Sequence, residues 1–458
     1  MVESKSNEIA SMIRISPSSS THPAEMAKKY PIWWSNASFF VGMHIVGVIG
    51  AVWLSPWGSL KRQTLYLCIW SWQLASFGVT IGYHRLWSHK GFTARLPLRI
   101  VLAVMGSLGF QGSIKWWVLR HRLHHRFTDD PVHDPYAASL GLLFSHMGWI
   151  FWKPKYERLV LIEKGDLERD PVVRFQHRHY IPIALFFGLV CPTVIALAWG
   201  DMLGGFIWGG VIARLLIWHC TFMINSLAHW EGLQPYTRDI SARGSFIIAV
   251  MTSGEGNHNF HAFPQDFRNG PHPLDWDPTK WLIWLFHKFT PFAPRIRVTP
   301  EPDILKARAH VLDAEADLDG VDSIKKAALQ KKAAELRALV PPYEWGIPEH
   351  KLEAWGRKQL ETYVENRGRK VVLVDGWFVD VTSYIKDHPG GSSILSRYLA
   401  VSPVKETVHD SGVDMEESDD GVTEALKDAT AAFNGGLNNH SSAAKAKLKA
   451  LRVARMAA

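Results

Sequence analysis

The sequence predicts an all-α membrane protein, four transmembrane helices with a helical cap on one face, followed by a small α+β domain. Three observations predict it. Long apolar stretches are confined to the chain before about residue 290, and histidines cluster in the polar segments between them. Beyond residue 343 the texture changes to short β-patterned runs followed by a helical tail.

The apolar stretches are Phe39–Trp57, Gln63–Tyr83, Leu96–Gly112, Ile181–Trp199 and Leu203–Ile224. Four of them reach about 19 to 22 residues, enough to cross a bilayer core as a helix. Abundant Trp near their ends fits membrane interfaces better than the buried helices of a large soluble enzyme. Residues 1–30 are polar and Ser-rich without an apolar core, so they read as disordered, with no cleaved signal peptide.

Composition narrows the partners. A net charge of +8 on a Trp-rich chain that is 47% hydrophobic points to an anionic membrane surface or an acidic substrate. No recognition module for nucleic acid is present, and none is expected as a partner. The three cysteines, Cys68, Cys191 and Cys220, lie in apolar segments without CxxC spacing, so neither a disulfide framework nor a thiolate metal site is expected.

The histidines carry the chemistry. Arg120–Phe127 reads RHRLHHRF and places His121, His124 and His125 at i, i+3 and i+4, on one face of a helix. His84 and His89 form a second cluster, His258 and His261 a third, and His229 stands between. Eight histidines in four places with no cysteine nearby suggest nitrogen ligands for more than one metal ion. Helix capping or structural zinc is the plainer reading of any single cluster; four spaced clusters argue against it. Histidines that share a metal centre must lie on one side of the membrane. The chain therefore crosses an even number of times between His89 and His121, and Leu96–Gly112 lies on the surface or re-enters. Two spans joined by Gly200-Asp201-Met202 return the chain before His229, which puts both termini on the histidine face.

HRLWSH (His84–His89), HRLHH (His121–His125), NSLAH (Asn225–His229) and GEGNHNFHAFPQDFR (Gly254–Arg268) closely resemble, in order, the histidine boxes of the membrane acyl-CoA Δ9 desaturases, the stearoyl-CoA desaturase family. The resemblance covers residues 31–295. It implies a di-iron centre (two Fe) with His84, His89, His121, His124, His125, His229, His258 and His261 as ligands and Asn225 reaching the metal through water. It also implies that Gln111, Trp117 and Thr221 stand around the bend of a substrate tunnel, with Phe222 where a Trp is usual. Taken alone, such aromatics are ordinary core. The third box departs from the family's HNxHH pattern: His258-Asn259-Phe260-His261 is followed by Ala262, one histidine poorer. His261, water, or a carboxylate such as Glu255 or Asp266 then has to fill the missing position. Iron with O2 suits the chemistry, because removing hydrogen from an unactivated methylene needs an oxidant that no side chain provides.

Residues 296–342 are charged and Ala-rich, read as surface helices or a semi-rigid linker. Residues 343–458 hold KVVLVDGWFVDV and then DHPGG, which together look like a cytochrome b5 haem domain. That resemblance implies haem b with His388 as one axial ligand, on a loop shaped by Pro389, Gly390 and Gly391. Two histidines compete for the second position, His409 and His440. His409 has the more usual spacing but sits in an acidic run at about 405–422, read as a flexible insertion. His440 precedes a helical tail resembling the second-ligand site of fungal desaturase fusions, and is preferred.

The expectation that joins these parts is a fungal-type acyl-CoA Δ9 desaturase with a fused haem domain. It would use O2, electrons from an NADH-cytochrome b5 reductase and an acyl-CoA such as stearoyl- or palmitoyl-CoA, in the endoplasmic reticulum membrane. Because that reductase is cytosolic, so are both termini. Rival expectations are a di-iron hydroxylase or a desaturase of other regiochemistry, and a non-catalytic haem protein that passes electrons onward.

Overall fold

A computed structural model describes residues 30–388, 390–401, 426–435 and 440–457. The N-terminal segment 1–29, the acidic run at 405–422, Pro389 and His409 lie outside the described residues. The chain divides into two compact units that meet in sequence between Leu339 and Val340.

The first unit is helical. Four of its helices are long and apolar enough to cross a membrane: α1 (Trp34–Leu54), α2 (Arg62–Ser88), α5 (Tyr180–Trp199) and α6 (Met202–His229). Their outward faces are aliphatic and aromatic, as with Ile45, Val48 and Trp53 on α1 and Phe186, Val190 and Val194 on α5, all exposed. A surface of that kind is stable against lipid and costly against water. The bounds differ from the apolar stretches for local reasons. Pro56 ends α1 before Trp57, which starts a separate turn. At its other end α2 runs past Tyr83 through the polar YHRLWS, which stays helical because every residue of Gly78–Ser88 is buried. At the α5–α6 turn Gly200 takes a left-handed φ of +64°, and Asp201 caps α6 by accepting from Gly204 N at 3.1 Å and from Thr64 Oγ1. A charge inside the bundle is met in part by backbone: buried Arg214 donates to Gly188 O at 2.7 Å and Ser71 O at 3.2 Å, while its Nε has no partner among the described residues.

The apolar stretch that the topology argument keeps out of the bilayer forms α3 (Leu96–Ser107), only 12 residues long. It crosses α2 closely: a Cβ on Gly78 would meet the backbone of Gly106, and one on Gly106 would meet the Tyr83 ring. This crossing fixes the end of α2 that bears His84. Next comes α4 (Ile114–Arg126), N-capped by Ser113, whose Oγ accepts from Trp116 N at 3.3 Å. Ile81, Tyr83, Trp87, Leu102, Ile114, Val118 and Ile283 make the core that packs α2, α3, α4 and α7 (Pro278–Phe289) together. A two-residue ladder joins β1 (Phe92–Thr93), just after His89, to β2 (Arg295–Ile296), just after α7.

The charged stretches form α8 (Glu301–Ala316) and α9 (Ser323–Ala338). They fall within the first compact unit, and α8 buries Ile304, Leu305, Ala307, Ala309 and Val311.

The second unit is α+β. Its sheet runs β3 (Ala354–Trp355), β6 (Arg452–Met456), β5 (Trp377–Asp380), β4 (Val371–Val374), with β3–β6 parallel and the other pairs antiparallel. Asp375-Gly376 joins β4 to β5 with φ of +52° and +75°, the two-residue turn whose twist suits a hairpin. Around it stand α10 (Arg357–Arg367), α11 (Ser392–Arg397) and α12 (Ser442–Ala450), with Leu360, Leu373, Phe378 and Ala454 in the core.

Candidate metal centre

Eight histidines that are up to 177 residues apart converge into two clusters. His84, His89, His121, His125 and His261 each bring a ring nitrogen within 4.8 Å of the others; His124, His229 and His258 do the same in a second set. The three histidines of α4 do not serve one centre. His121 and His125 join the five-membered set and their neighbour His124 the three-membered one, so α4 lies along both. The turn His258–Ala262 divides in the same way, His261 to the five and His258 to the three.

Ring nitrogens face one another at short range. His84 Nε2 lies 2.7 Å from His261 Nε2, and His121 Nε2 lies 2.8 Å from His89 Nε2 and 3.1 Å from His125 Nε2. In the second set His229 Nε2 is 3.2 Å from His258 Nε2. Two facing nitrogens can share only one proton, so lone pairs collected in this way call for a cation between them.

Behind the rings, carboxylates and a hydroxyl hold the other nitrogens. His124 Nδ1 donates to buried Asp134 Oδ1 at 2.8 Å. His229 Nδ1 donates to Ser241 Oγ at 2.7 Å, and Ser241 Oγ donates to Asp129 Oδ1 at 2.6 Å. His84 Nδ1 lies 3.3 Å from Glu255 Oε2, which is ion-pair range although longer than a good hydrogen bond to that atom. Such partners fix the tautomer and leave Nε2 as the donor to a metal. Arg85 anchors this corner: it reaches Glu255 Oε1 at 2.7 and 3.0 Å and Asp277 Oδ2 at 2.9 Å, with all three side chains buried.

Electrostatics favour neutral imidazoles. Burial, and then the neighbouring histidines, hold His89, His121, His125, His258 and His261 well below the usual imidazole value. At His124 burial is outweighed by Asp134, which raises it and makes it the stronger base. At Glu255 burial is outweighed by Arg85, which brings it down to about 2.

Each of the three groups that could stand in for the absent histidine has another partner. His261 is committed to the five-membered set, Glu255 to Arg85, and Asp266 to Arg268 at 2.9 Å and Thr299 N at 2.8 Å. None of these three stands in the three-histidine set, which is the poorer one among the described residues. Asn225 ends a helical segment four positions before His229. Asp129, Asp134 and Ser241 are site residues that the histidine pattern does not reveal; the acidic TDDPVHD directly after the RHRLHHRF helix was the available signal for the two aspartates, and Ser241 had none.

Of the expected tunnel residues, Trp117 lies beside the five-membered set. Trp117 stacks on His121 with ring centres 4.7 Å apart, and Gln111 Nε2 donates to Thr221 Oγ1 at 2.7 Å. Phe222 packs edge-on to Trp149 at 6.0 Å. In the second unit the rings of His388 and His440 face one another with centres 6.4 Å apart. Nδ1 of His388 is 3.3 Å from Gly391 O, and Nδ1 of His440 is 2.8 Å from Phe433 O.

A fatty acid desaturase family profile matches residues 63–265, which contain all eight clustered histidines. The chain is 35% identical over 445 residues to a probable acyl-CoA desaturase of Schizosaccharomyces pombe, covering 96% of this chain and 81% of the relative. It is 34% identical over 424 residues to acyl-CoA desaturase 1 of Saccharomyces cerevisiae, covering 92% of this chain and 73% of the relative. Human stearoyl-CoA desaturase 5 is 36% identical over 270 residues, covering 57% of this chain and 80% of its own length. Both yeast alignments therefore extend well into the second unit, since neither could reach its coverage from the first unit alone.

Proposed function

The chain belongs to the fatty acid desaturase family, and from that premise we propose that it is a Δ9 desaturase of saturated acyl-CoA, such as stearoyl- or palmitoyl-CoA. It uses O2 and receives electrons through its own C-terminal haem domain. The observation that carries the reading is the convergence of eight histidines into two adjacent nitrogen-lined sets inside the profile-matched segment.

In this proposal His84, His89, His121, His125 and His261 hold one iron, and His124, His229 and His258 hold the other, with Asn225 reaching it through water. Bound iron, with O2, supplies the oxidising chemistry that an unactivated methylene requires. The chain's own groups do the rest. Asp134, Ser241 and Glu255 orient imidazoles from behind, and the buried Arg85 pair with Glu255 and Asp277 keeps the first box in place. Trp117 covers His121 on one side and presents an apolar wall to the acyl chain. The Gln111 amide donates to Thr221 Oγ1, which takes up polar groups that a passing hydrocarbon would otherwise meet unpaired.

In the second unit the proposed ligands are His388 and His440. Haem held there supplies one-electron transfer. What supports the pair is its spacing: one metal ion between two imidazoles, each bond about 2 Å, leaves ring centres roughly 6 Å apart, against the 6.4 Å found. Carbonyl acceptors at both Nδ1 atoms direct Nε2 toward such an ion. Residues 343–458 are thus assigned to a cytochrome b5-like domain, 31–295 to the desaturase and 296–342 to the connection between them. The proposed setting is the endoplasmic reticulum membrane, with both termini cytosolic and a cytochrome b5 reductase as donor.

The test is purified full-length protein with NADH, reductase, stearoyl-CoA and O2. Two irons, one haem and a cis-9 product are expected. Zinc in place of iron with no product would leave a membrane electron carrier, and a double bond elsewhere would correct the regiochemistry.

A further inference from the structure

Three histidines outside the two clusters form a chain of their own. His44 comes from α1, His219 from α6 and His146 from the cap segment Leu142–His146, each half-buried. His44 Nδ1 reaches Phe40 O at 2.7 Å and its Nε2 reaches His219 Nε2 at 3.0 Å. On the far side of that ring, His219 Nδ1 meets His146 Nε2 at 3.0 Å. His146 Nδ1 then meets Ser226 Oγ at 3.0 Å, and Ser226 Oγ lies 2.8 Å from Phe222 O. The rings are strung end to end and do not converge, so this is no metal site.

Proton counting gives the chain its function. It contains five hydrogen-bond contacts between two terminal carbonyls. A carbonyl only accepts, each neutral imidazole brings one proton and the hydroxyl brings one, so four protons serve five contacts. One contact is always short, and a fifth proton completes the series. Wherever that proton enters, shifts along the chain move the charge from ring to ring. No carboxylate is there to trap it: among the described residues none of the three histidines makes an ion pair. The groups packed around them are aromatic, with ring centres of Phe40 at 4.4 Å and Trp218 at 6.3 Å from His44, and of Phe222 at 5.7 Å from His146.

We propose that His44, His219 and His146 form a one-proton reservoir that serves the three-histidine cluster through Ser226. Ser226 is buried and directly follows Asn225, and its carbonyl accepts from His229 N at 3.0 Å, so the reservoir ends at the turn that carries a member of that cluster. Burial holds His146 below the ordinary imidazole value, which suits a group that gives its proton up. The inference rests on the desaturase reading, whose balance needs such a supply. Each turnover joins one O2 with two hydrogen atoms of the acyl chain, two electrons of the donor and two protons from water, and yields one double bond and two waters.

The test uses His219→Gln and His146→Gln in the full-length holoenzyme. Glutamine keeps a donor and an acceptor but cannot carry the extra proton. Expected are a fall in kcat of about ten-fold or more, an unchanged KM for stearoyl-CoA, unchanged iron and haem content, and a larger solvent isotope effect on kcat. Proton uptake between pH 8 and pH 5 should fall by about one per molecule in either variant. Wild-type kcat with an unaltered isotope effect would overturn the proposal. So would a loss of thermal stability that accounts for all of the lost rate, since that describes a clamp between helices. Absence of product from the wild-type enzyme would instead sink the desaturase reading, while the proton-uptake difference would still report on the reservoir.

Discussion

Replacing Asp134 with Asn should strip one metal site and spare the other. The carboxylate is 1% exposed and accepts three hydrogen bonds: from His124 Nδ1 at 2.8 Å, Tyr136 N at 3.0 Å and Asp129 N at 3.0 Å. An Asn carbonyl can keep the first two, but its amide then meets the Asp129 N–H, donor against donor. The lost charge removes the group that makes His124 a stronger base. Loss of such a supporting group costs about 10- to 100-fold in metal affinity, roughly 1.4 to 2.7 kcal/mol, and the orphaned N–H adds about 1 to 3 kcal/mol of instability. The assay is an iron count per haem across a series of chelator concentrations. Wild-type protein should release iron in two steps, the three-histidine site first. In Asp134→Asn the first step should move to 10- to 100-fold weaker chelation and the second should stay. Equal movement of both steps, or none, would refute the division of the histidines into five and three.

Other consequences can be measured separately. His388→Ala and His440→Ala should each abolish the haem absorbance while leaving two irons; a normal haem spectrum in His440→Ala would return the second ligand to another residue. Arg85→Met should leave Glu255 and Asp277 buried without their cation, at about 3 to 5 kcal/mol, and so lower the midpoint of thermal unfolding sharply; an unchanged midpoint would mean that the network is not structural. Gly78→Val sets a side chain against the Gly106 backbone and should cost about 1 to 3 kcal/mol, read from the same unfolding curve, whereas Val at Gly42, whose Cβ position is open, should cost far less.

Much of the site was legible because its spacing is local. His121, His124 and His125 can be placed on a helix from sequence, and so can His84 with His89. Their partition could not, because it depends on how α4 docks: neighbouring positions on a helix differ by about 100°, enough to send His124 and His125 to different sets. The pairing of His261 with His84 joins positions 177 apart and leaves no local pattern. The chain of His44, His219 and His146 was invisible for the same reason, each being a lone histidine near apolar residues. Four spans were readable from length, and the short non-spanning helix from the histidines' need to share one face, but the burial that keeps Tyr83–Ser88 helical was not readable. In the second unit the Asp375-Gly376 turn announces its hairpin directly, whereas the charged pattern of α8 hides the apolar residues that it buries.

The difference in ligand number between the two sets is offset in part by what stands behind the rings. Of the five imidazoles in the larger set, His84 has a carboxylate in range, and Glu255 is shared with Arg85, which draws charge away from the ring. In the smaller set two of three rings are supported, His124 by Asp134 and His229 by the Ser241–Asp129 pair. Fewer donors that are oriented from behind can hold a cation that five less supported ones hold by number. Ser241→Ala should therefore weaken the three-histidine site as Asp134→Asn does. Because Asp129 donates its N–H to Asp134 and accepts from Ser241, the two substitutions share a partner and their combined effect should depart from the simple product of the two. Glu255→Gln should matter less for its own site, since four other imidazoles remain there. If chelation shows Glu255→Gln emptying the five-histidine site more readily than Asp134→Asn empties the other, compensation from behind the rings is wrong, and the missing histidine at position 262 must be replaced from solvent.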